Sequence, residues 1–138
     1  MSIDWSDPNS WCAEKLPAKS RRRLRELVEK LRTVKRSEFD METWWCGTAG
    51  CAIGHACSLP SWRRAGMRLT PTGRMPWEHS EVTFAGHENV DAVAEFLQID
   101  YFDADMLFTK HKGHETPRQV ARHIESFLKA MERKEAKP

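Results

Sequence analysis

Apolar residues recur at every third or fourth position in an early segment of the chain. Over residues 17–35 this spacing places them along one face of a helix. The stripe consists of Leu24, Leu27, Val28, Leu31 and Val34. The pattern predicts a first helix over residues 17–35 that buries this face, preceded by an irregular N-terminal arm over residues 1–16.

Two shorter segments in the second half show the same helical period. Asn89 precedes the first, over residues 90–97, and Asp100 precedes the second, over residues 101–108. Their side chains can accept hydrogen bonds from the free N–H groups of a helix's first turn. Both residues are therefore predicted N-caps.

The last helix has the clearest start signal. Thr116 suits the N-cap, Pro117 the first helical position, and Gln119 the third position of a capping box. The helix is predicted over residues 117–134, and residues 135–138 are expected to form a frayed tail. Its apolar stripe consists of Val120, Ala121, Ile124, Phe127, Leu128 and Met131.

The middle of the chain is less regular. Thr48 is a predicted N-cap for a helix that runs to about Cys57 and that Pro60 stops. An insert over residues 61–86 follows, with alternating runs at its two ends that predict a small β-hairpin. The expected fold is mainly α: one compact domain over residues 17–134, with about five helices and this hairpin insert.

Composition narrows the class of protein. A chain of 138 residues, 40% hydrophobic and 30% charged, can bury one core without disulfides. No apolar run reaches the ~20 residues that a membrane span needs, and the first residues carry no signal-peptide pattern. With four cysteines expected to stay reduced, we expect a cytoplasmic protein with no membrane partner.

Charge is unevenly distributed along the chain, although the net charge is only +2. Residues 15–36 carry ten Lys or Arg and two acids, whereas residues 87–108 carry six acids and neither Lys nor Arg. Such a basic and an acidic segment favour interaction with a charged partner if the fold keeps them apart.

The run Cys-Gly-Thr-Ala-Gly-Cys-Ala-Ile-Gly-His-Ala over residues 46–56, preceded by Phe-Asp-Met at 39–41, resembles a family of small bacterial and phage proteins. The resemblance covers residues 24–130. It implies a small helical fold with a hairpin insert and brings no assigned activity. Occurrence in phages and mobile elements suggests a host-directed regulator or inhibitor, for example one directed against host defence.

The same run raises two chemical alternatives. Cys51 and His55 share one face of the predicted helix, and Cys46 lies just before it, so the three could ligate zinc. Alternatively, Cys51 near the helix start could be an activated thiol with His55 as its base. The competing interpretation is that all three are buried packing residues.

Arginines form a second stripe on the first helix, bordering the apolar one. Arg21, Arg25, Arg32 and Arg36 could bind an acidic protein surface or a nucleic-acid backbone. The alternative is a solvated helix face on which Arg25 pairs with Glu29.

The insert combines tryptophan with arginine, a composition typical of interface hot spots. Trp62, Arg63, Arg64 and Trp77 are candidate contact residues, and at least one of the two tryptophans is expected at the surface. Loop histidines such as His114 and His123 are expected to be exposed and without a role.

These patterns favour a non-enzymatic protein that binds a macromolecule, most readily another protein. The predicted contact residues are the arginine stripe and the four residues of the insert. No cofactor is expected. A metal- or thiol-dependent protein built on Cys46, Cys51 and His55, with zinc as the metal, and a nucleic-acid-binding protein acting through the stripe are the alternatives.

Overall fold

A computed structural model describes residues 4–41, 51–71, 80–109 and 114–136. It is about 60% helical, and mainly α is therefore the correct class. Within the described ranges no helix is long and apolar enough to cross a membrane. The described part has six α-helices: α1 (Ala18–Leu31), α2 (Ala52–Ala56), α3 (Pro60–Arg64), α4 (Asn89–Leu97), α5 (Tyr101–Phe108) and α6 (Pro117–Ala136).

The core forms where α1 packs against α6. On α1 the predicted apolar stripe is buried from Leu24 to Leu31, whereas the helix ends at Leu31 rather than at residue 35. Arg36 begins a separate 3-10 turn, Arg36–Glu38. On α6 all six stripe residues are buried, so the 3.6-residue period predicted this face correctly.

A small antiparallel sheet covers one side of α4. Strand β1 (Arg68–Pro71) pairs with β2 (Ser80–Phe84), and β2 pairs with the short β3 (His87–Glu88). The alternating runs predicted the hairpin, and the structure sets its register with Leu69 opposite Val82. The sheet has three strands rather than two because Ala85 and Gly86 both have positive φ, which permits a tight second turn.

The middle helices differ from the prediction. The predicted helix over residues 48–57 is described only as α2, Ala52–Ala56, and its predicted cap Thr48 lies outside the described residues. The predicted end near Cys57 is confirmed, because α2 ends at Ala56. Pro60 in addition opens a separate helix, α3, because proline fits the first helical position, where its missing N–H costs nothing.

Two predicted helix ends also need correction. Glu88, not Asn89, occupies the N-cap of α4, and Asn89 is its first residue with a φ of +54°. Glu135 was expected in a frayed tail, but it lies in α6 and accepts a hydrogen bond from the N–H of Leu16 at 2.9 Å. The end of α6 is thus held by the N-terminal arm.

The carboxylate of Asp103 on α5 fixes the arm to the helical body. It is 1% exposed and accepts hydrogen bonds from the backbone N–H groups of Cys12 at 2.9 Å and Ala13 at 2.8 Å. From the other side, Lys134 Nζ donates to the carbonyl oxygens of Trp11 and Ala13, both at 2.7 Å. Buried backbone groups of this irregular segment therefore find partners on two helices.

Aromatic stacking completes the attachment of the arm. Trp5 lies parallel to the ring of His123 at a centroid distance of 4.0 Å, and Trp11 meets Phe127 edge-on at 4.6 Å. His114 is 1% exposed and its ring centroid is 5.0 Å from that of Trp5. Trp5 and Trp11 therefore pack on the helical body, and His114 and His123 are packing residues rather than the exposed ones that the sequence predicted.

Replacing Asp103 tests this attachment. Asp103→Asn keeps the shape but turns an NH₂ group toward one of the two backbone donors, so the unfolding free energy should fall by about 2 kcal/mol. Urea unfolding measures the change. Glu95 on α4 is exposed, so Glu95→Gln removes the same charge and should change the unfolding free energy by less than about 0.5 kcal/mol. Equal losses in the two variants would contradict a specific role for Asp103.

Candidate protein interface

Tyr101 and Phe102, at the start of α5, form an exposed aromatic ridge. They are 47% and 68% exposed, the only large hydrophobic side chains classed as exposed in the described part of the chain. Their rings meet edge to face at a centroid distance of 6.1 Å. We call this pair the aromatic ridge. An exposed aromatic pair of this kind offers apolar area that a partner can bury.

The direction of Phe102 follows from the helical phase of α5. Asp103, Ala104, Leu107 and Phe108 are buried, so position 102 faces outward, whereas Tyr101 lies beside the buried face and is exposed in the first turn of the helix. The helix start is fixed because the Asp100 side chain accepts a hydrogen bond from the N–H of Phe102 at 2.9 Å. The ridge therefore sits on a capped helix that Asp103 also anchors.

The surroundings of the ridge are acidic. Its own helix and α4, which packs against it, belong to the segment 87–108, which has six acids and neither Lys nor Arg. Four of these acids are exposed: Glu88, Asp91, Glu95 and Asp100. The aromatic ridge and these four carboxylates, which lie on or next to the packed helices α4 and α5, are called the acidic aromatic surface below; their composition is complementary to a basic protein surface with an apolar pocket.

The predicted arginine stripe is engaged within the molecule. Arg21 contacts Glu135 at 2.6 Å and Arg25 contacts Glu132 at 3.5 Å. The predicted alternative partner of Arg25, Glu29, instead pairs with Arg32. Arg32 Nη1 lies 2.6 Å from Glu29 and its Nη2 lies 3.0 Å from Glu125 on α6. The stripe thus connects α1 to α6, so fewer of its positive charges are available to bind a partner.

The remaining predicted contact residues divide into exposed and buried ones. Arg36, Arg63 and Arg64 are exposed. Trp62 is 0% exposed and packs on Phe96 at a centroid distance of 4.7 Å, so its predicted role in partner contact is wrong. Its position on α3 directs the Trp62 side chain into the core. Trp77 lies outside the described residues, and its exposure stays a prediction.

Cys51 and His55 lie in the interior. Cys51 is 2% exposed, and burial raises the pKa of its thiol to about 11. It precedes the first residue of α2 instead of lying within the helix, and it stays protonated at neutral pH. These surroundings weigh against an activated thiolate at this position.

His55 is held by the backbone. Its Nε2 lies 2.6 Å from the carbonyl oxygen of Glu38, which can only accept, so Nε2 carries the proton and donates. Burial is the main cause that lowers the pKa of His55 and keeps the ring neutral. Cys46, the third predicted zinc ligand, lies outside the described residues. Among residues 4–41, 51–71, 80–109 and 114–136, no three His, Cys, Asp or Glu side chains group as metal ligands.

Comparison with protein-family models, with curated proteins and with solved structures finds no match for this chain. The resemblance of residues 46–56 to small bacterial and phage proteins therefore stays a prediction.

Sequence reasoning did not single out Tyr101 and Phe102. The signal was present for Phe102, because a helix over residues 101–108 that buries Leu107 and Phe108 turns position 102 outward. Two consecutive aromatics at the start of a short helix are easily assigned to the core by composition alone. Helical phase, rather than hydrophobicity, decides the placement of Phe102.

The buried cysteines should resist thiol reagents. Cys51 and Cys57 are 2% and 6% exposed, and burial raises the pKa of Cys57 to about 12, whereas Cys12 is exposed. At pH 7.5 and native conditions, maleimide should label Cys12 much faster than Cys51 or Cys57. Peptide mapping by mass spectrometry measures the rates. Labelling of Cys51 as fast as Cys12 would support the thiol alternative instead.

The contacts of Glu135 predict a pH dependence of stability. The N–H of Leu16 and then the guanidinium of Arg21 lower the pKa of this carboxyl below its ordinary value of 4.5. A lowered native pKa means that the stabilisation is complete above the unfolded pKa and is lost as pH falls through the native one. The stability difference between wild type and Glu135→Gln should therefore shrink below about pH 4.5, as measured by urea unfolding.

A constant difference between wild type and Glu135→Gln down to pH 2.5 would contradict this assignment. Glu132→Gln is the matched control on the same helix. Its carboxylate is 51% exposed and meets Arg25 at 3.5 Å, so the substitution should change stability by less than about 1 kcal/mol.

Proposed function

We propose that this protein acts by binding another protein through its acidic aromatic surface. The observation that carries the proposal is the exposure of Tyr101 and Phe102 side by side, at 47% and 68%, on a helix whose start is capped and anchored. Leaving two large aromatic rings in water forgoes the stabilisation of their burial, and a partner can supply it.

The chemistry of the surface specifies the partner's chemistry. Phe102 fits an apolar pocket, and the neighbouring carboxylates of Asp91, Glu95 and Asp100 favour a rim of Lys or Arg around that pocket. Opposite charges on the rims speed association and orient the partner, whereas burial of the aromatic ring supplies most of the affinity. The partner proposed here is thus a basic protein surface.

This site differs from the one that the sequence suggested, although the function is of the same class. Three of the four stripe arginines contact carboxylates of α6, so α1 offers a partner less unpaired charge than its composition promises. That the binding regulates or inhibits a host process, as the resemblance to phage proteins suggests, remains a prediction.

Photo-crosslinking from the ridge tests the proposal. With a photo-reactive amino acid at position 102 in the full chain, irradiation in the native host should yield a discrete adduct with one protein. The crosslinked peptide of that protein should be rich in Lys and Arg. The same amino acid at the exposed Lys129 on α6 is the control and should give no such adduct. Adducts of equal yield at both positions, or none at 102, would refute the proposal.

A substitution then measures the contribution of the ring. Against the identified partner, Phe102→Ala should weaken binding by about 30-fold, the loss typical of an interface hot spot, and leave the unfolding free energy within about 0.5 kcal/mol. Arg25→Gln should leave the affinity unchanged. Isothermal titration calorimetry distinguishes the two surfaces, because loss of binding with Arg25→Gln alone would assign the interface to α1.

A further inference from the structure

A concave surface lies between α1, α2, α3 and β1. It is a cavity of about 410 Å³, within the range of small-molecule sites. Its lining includes three basic side chains, Lys30, Arg63 and Arg68, and one acidic residue, Glu38. We call it the cationic cavity. Its charge is opposite to that of the acidic aromatic surface.

The basic groups of the cavity outnumber its one carboxylate, Glu38, by three to one. Lys30 and Arg63 form no ion pair or side-chain hydrogen bond within the described chain, in contrast to the stripe arginines on α1. Three cations around one concavity repel each other, and an anion that enters it relieves this repulsion. The arrangement therefore favours an anionic ligand.

Arg68 is held in position before any ligand binds. Its Nη1 donates to the carbonyl oxygens of Arg63 and, at 3.0 Å, of Met67. A guanidinium has five N–H donors, so the rest of the fork stays available to a ligand. A planar, positioned fork suits the oxygens of a phosphate group better than a single chloride or a flexible acidic side chain.

The wall of the cavity also has an apolar part. Met67 and Leu69 line it together with Gly54, and the neutral ring of His55 closes the inner side, tied to the backbone of Glu38. A volume of about 410 Å³ exceeds what a bare phosphate ion fills. The polar and apolar parts together fit a ligand with one phosphate group and an organic body.

From this geometry we infer that the cationic cavity binds a small phosphate monoester of about nucleotide size, with Lys30, Arg63 and Arg68 holding the phosphate. This site is separate from the proposed protein interface, and neither inference depends on the other. Adjacent residues on α3 provide a matched pair for the test, because Arg63 lines the cavity and Arg64, equally exposed, does not.

Isothermal titration of the full chain with adenosine monophosphate and with inorganic phosphate tests the assignment. Both should bind, the monoester more tightly. Arg63→Gln and Lys30→Gln should each weaken binding about tenfold, whereas Arg64→Gln, which removes the same charge, should change it less than twofold. Circular dichroism verifies that each variant is folded, and Arg63→Lys should restore part of the affinity.

Three outcomes would overturn the inference. They are the absence of binding by wild type at 5 mM ligand, an equal loss with Arg64→Gln, and tighter binding of a 5′-phosphorylated DNA oligonucleotide than of the monoester. The second would reduce the effect to overall charge. The third would assign the cavity to nucleic acid instead of a small molecule.

Discussion

The antiparallel packing of α1 against α6 is the constraint on which the rest of the structure depends. Burying a large apolar side chain contributes about 1.5–3 kcal/mol, whereas an exposed ion pair contributes about 0–1 kcal/mol. The apolar stripes therefore hold the two helices together. The ion pairs Arg21–Glu135 and Arg32–Glu125 lie at opposite ends of the contact and favour one register.

This packing decides which charges remain for other molecules. Arginines beside the apolar stripe of α1 form ion pairs with carboxylates beside the apolar stripe of α6. These charges are therefore already paired within the molecule. Basic groups farther from this packing, at Lys30 and Arg63, keep no such partner in the described chain. The carboxylates of Asp91 and Glu95 on α4 and of Asp100 at the start of α5 likewise remain exposed.

The sequence predicted the parts of the fold that follow from local periodicity. The stripes of α1 and α6 and the Asp100 cap depend on neighbours in the chain, and the alternating runs predicted a hairpin without its register. It did not predict contacts between distant segments, such as the Arg25–Glu132 pair. Composition likewise made Trp62 a candidate contact residue. The sequence of the insert does not reveal that Phe96, on α4, packs against this ring.

The attachment of the arm has a consequence for how the protein is made. The Asp103 carboxylate accepts a hydrogen bond from the N–H of Cys12, 91 positions earlier in the chain. Lys134 donates to the carbonyl oxygen of Trp11, 123 positions earlier. While the ribosome is still elongating the chain, α1 and the arm have neither partner, and their apolar faces stay accessible to chaperones. Acquisition of the native structure therefore waits for α6 to emerge from the exit tunnel.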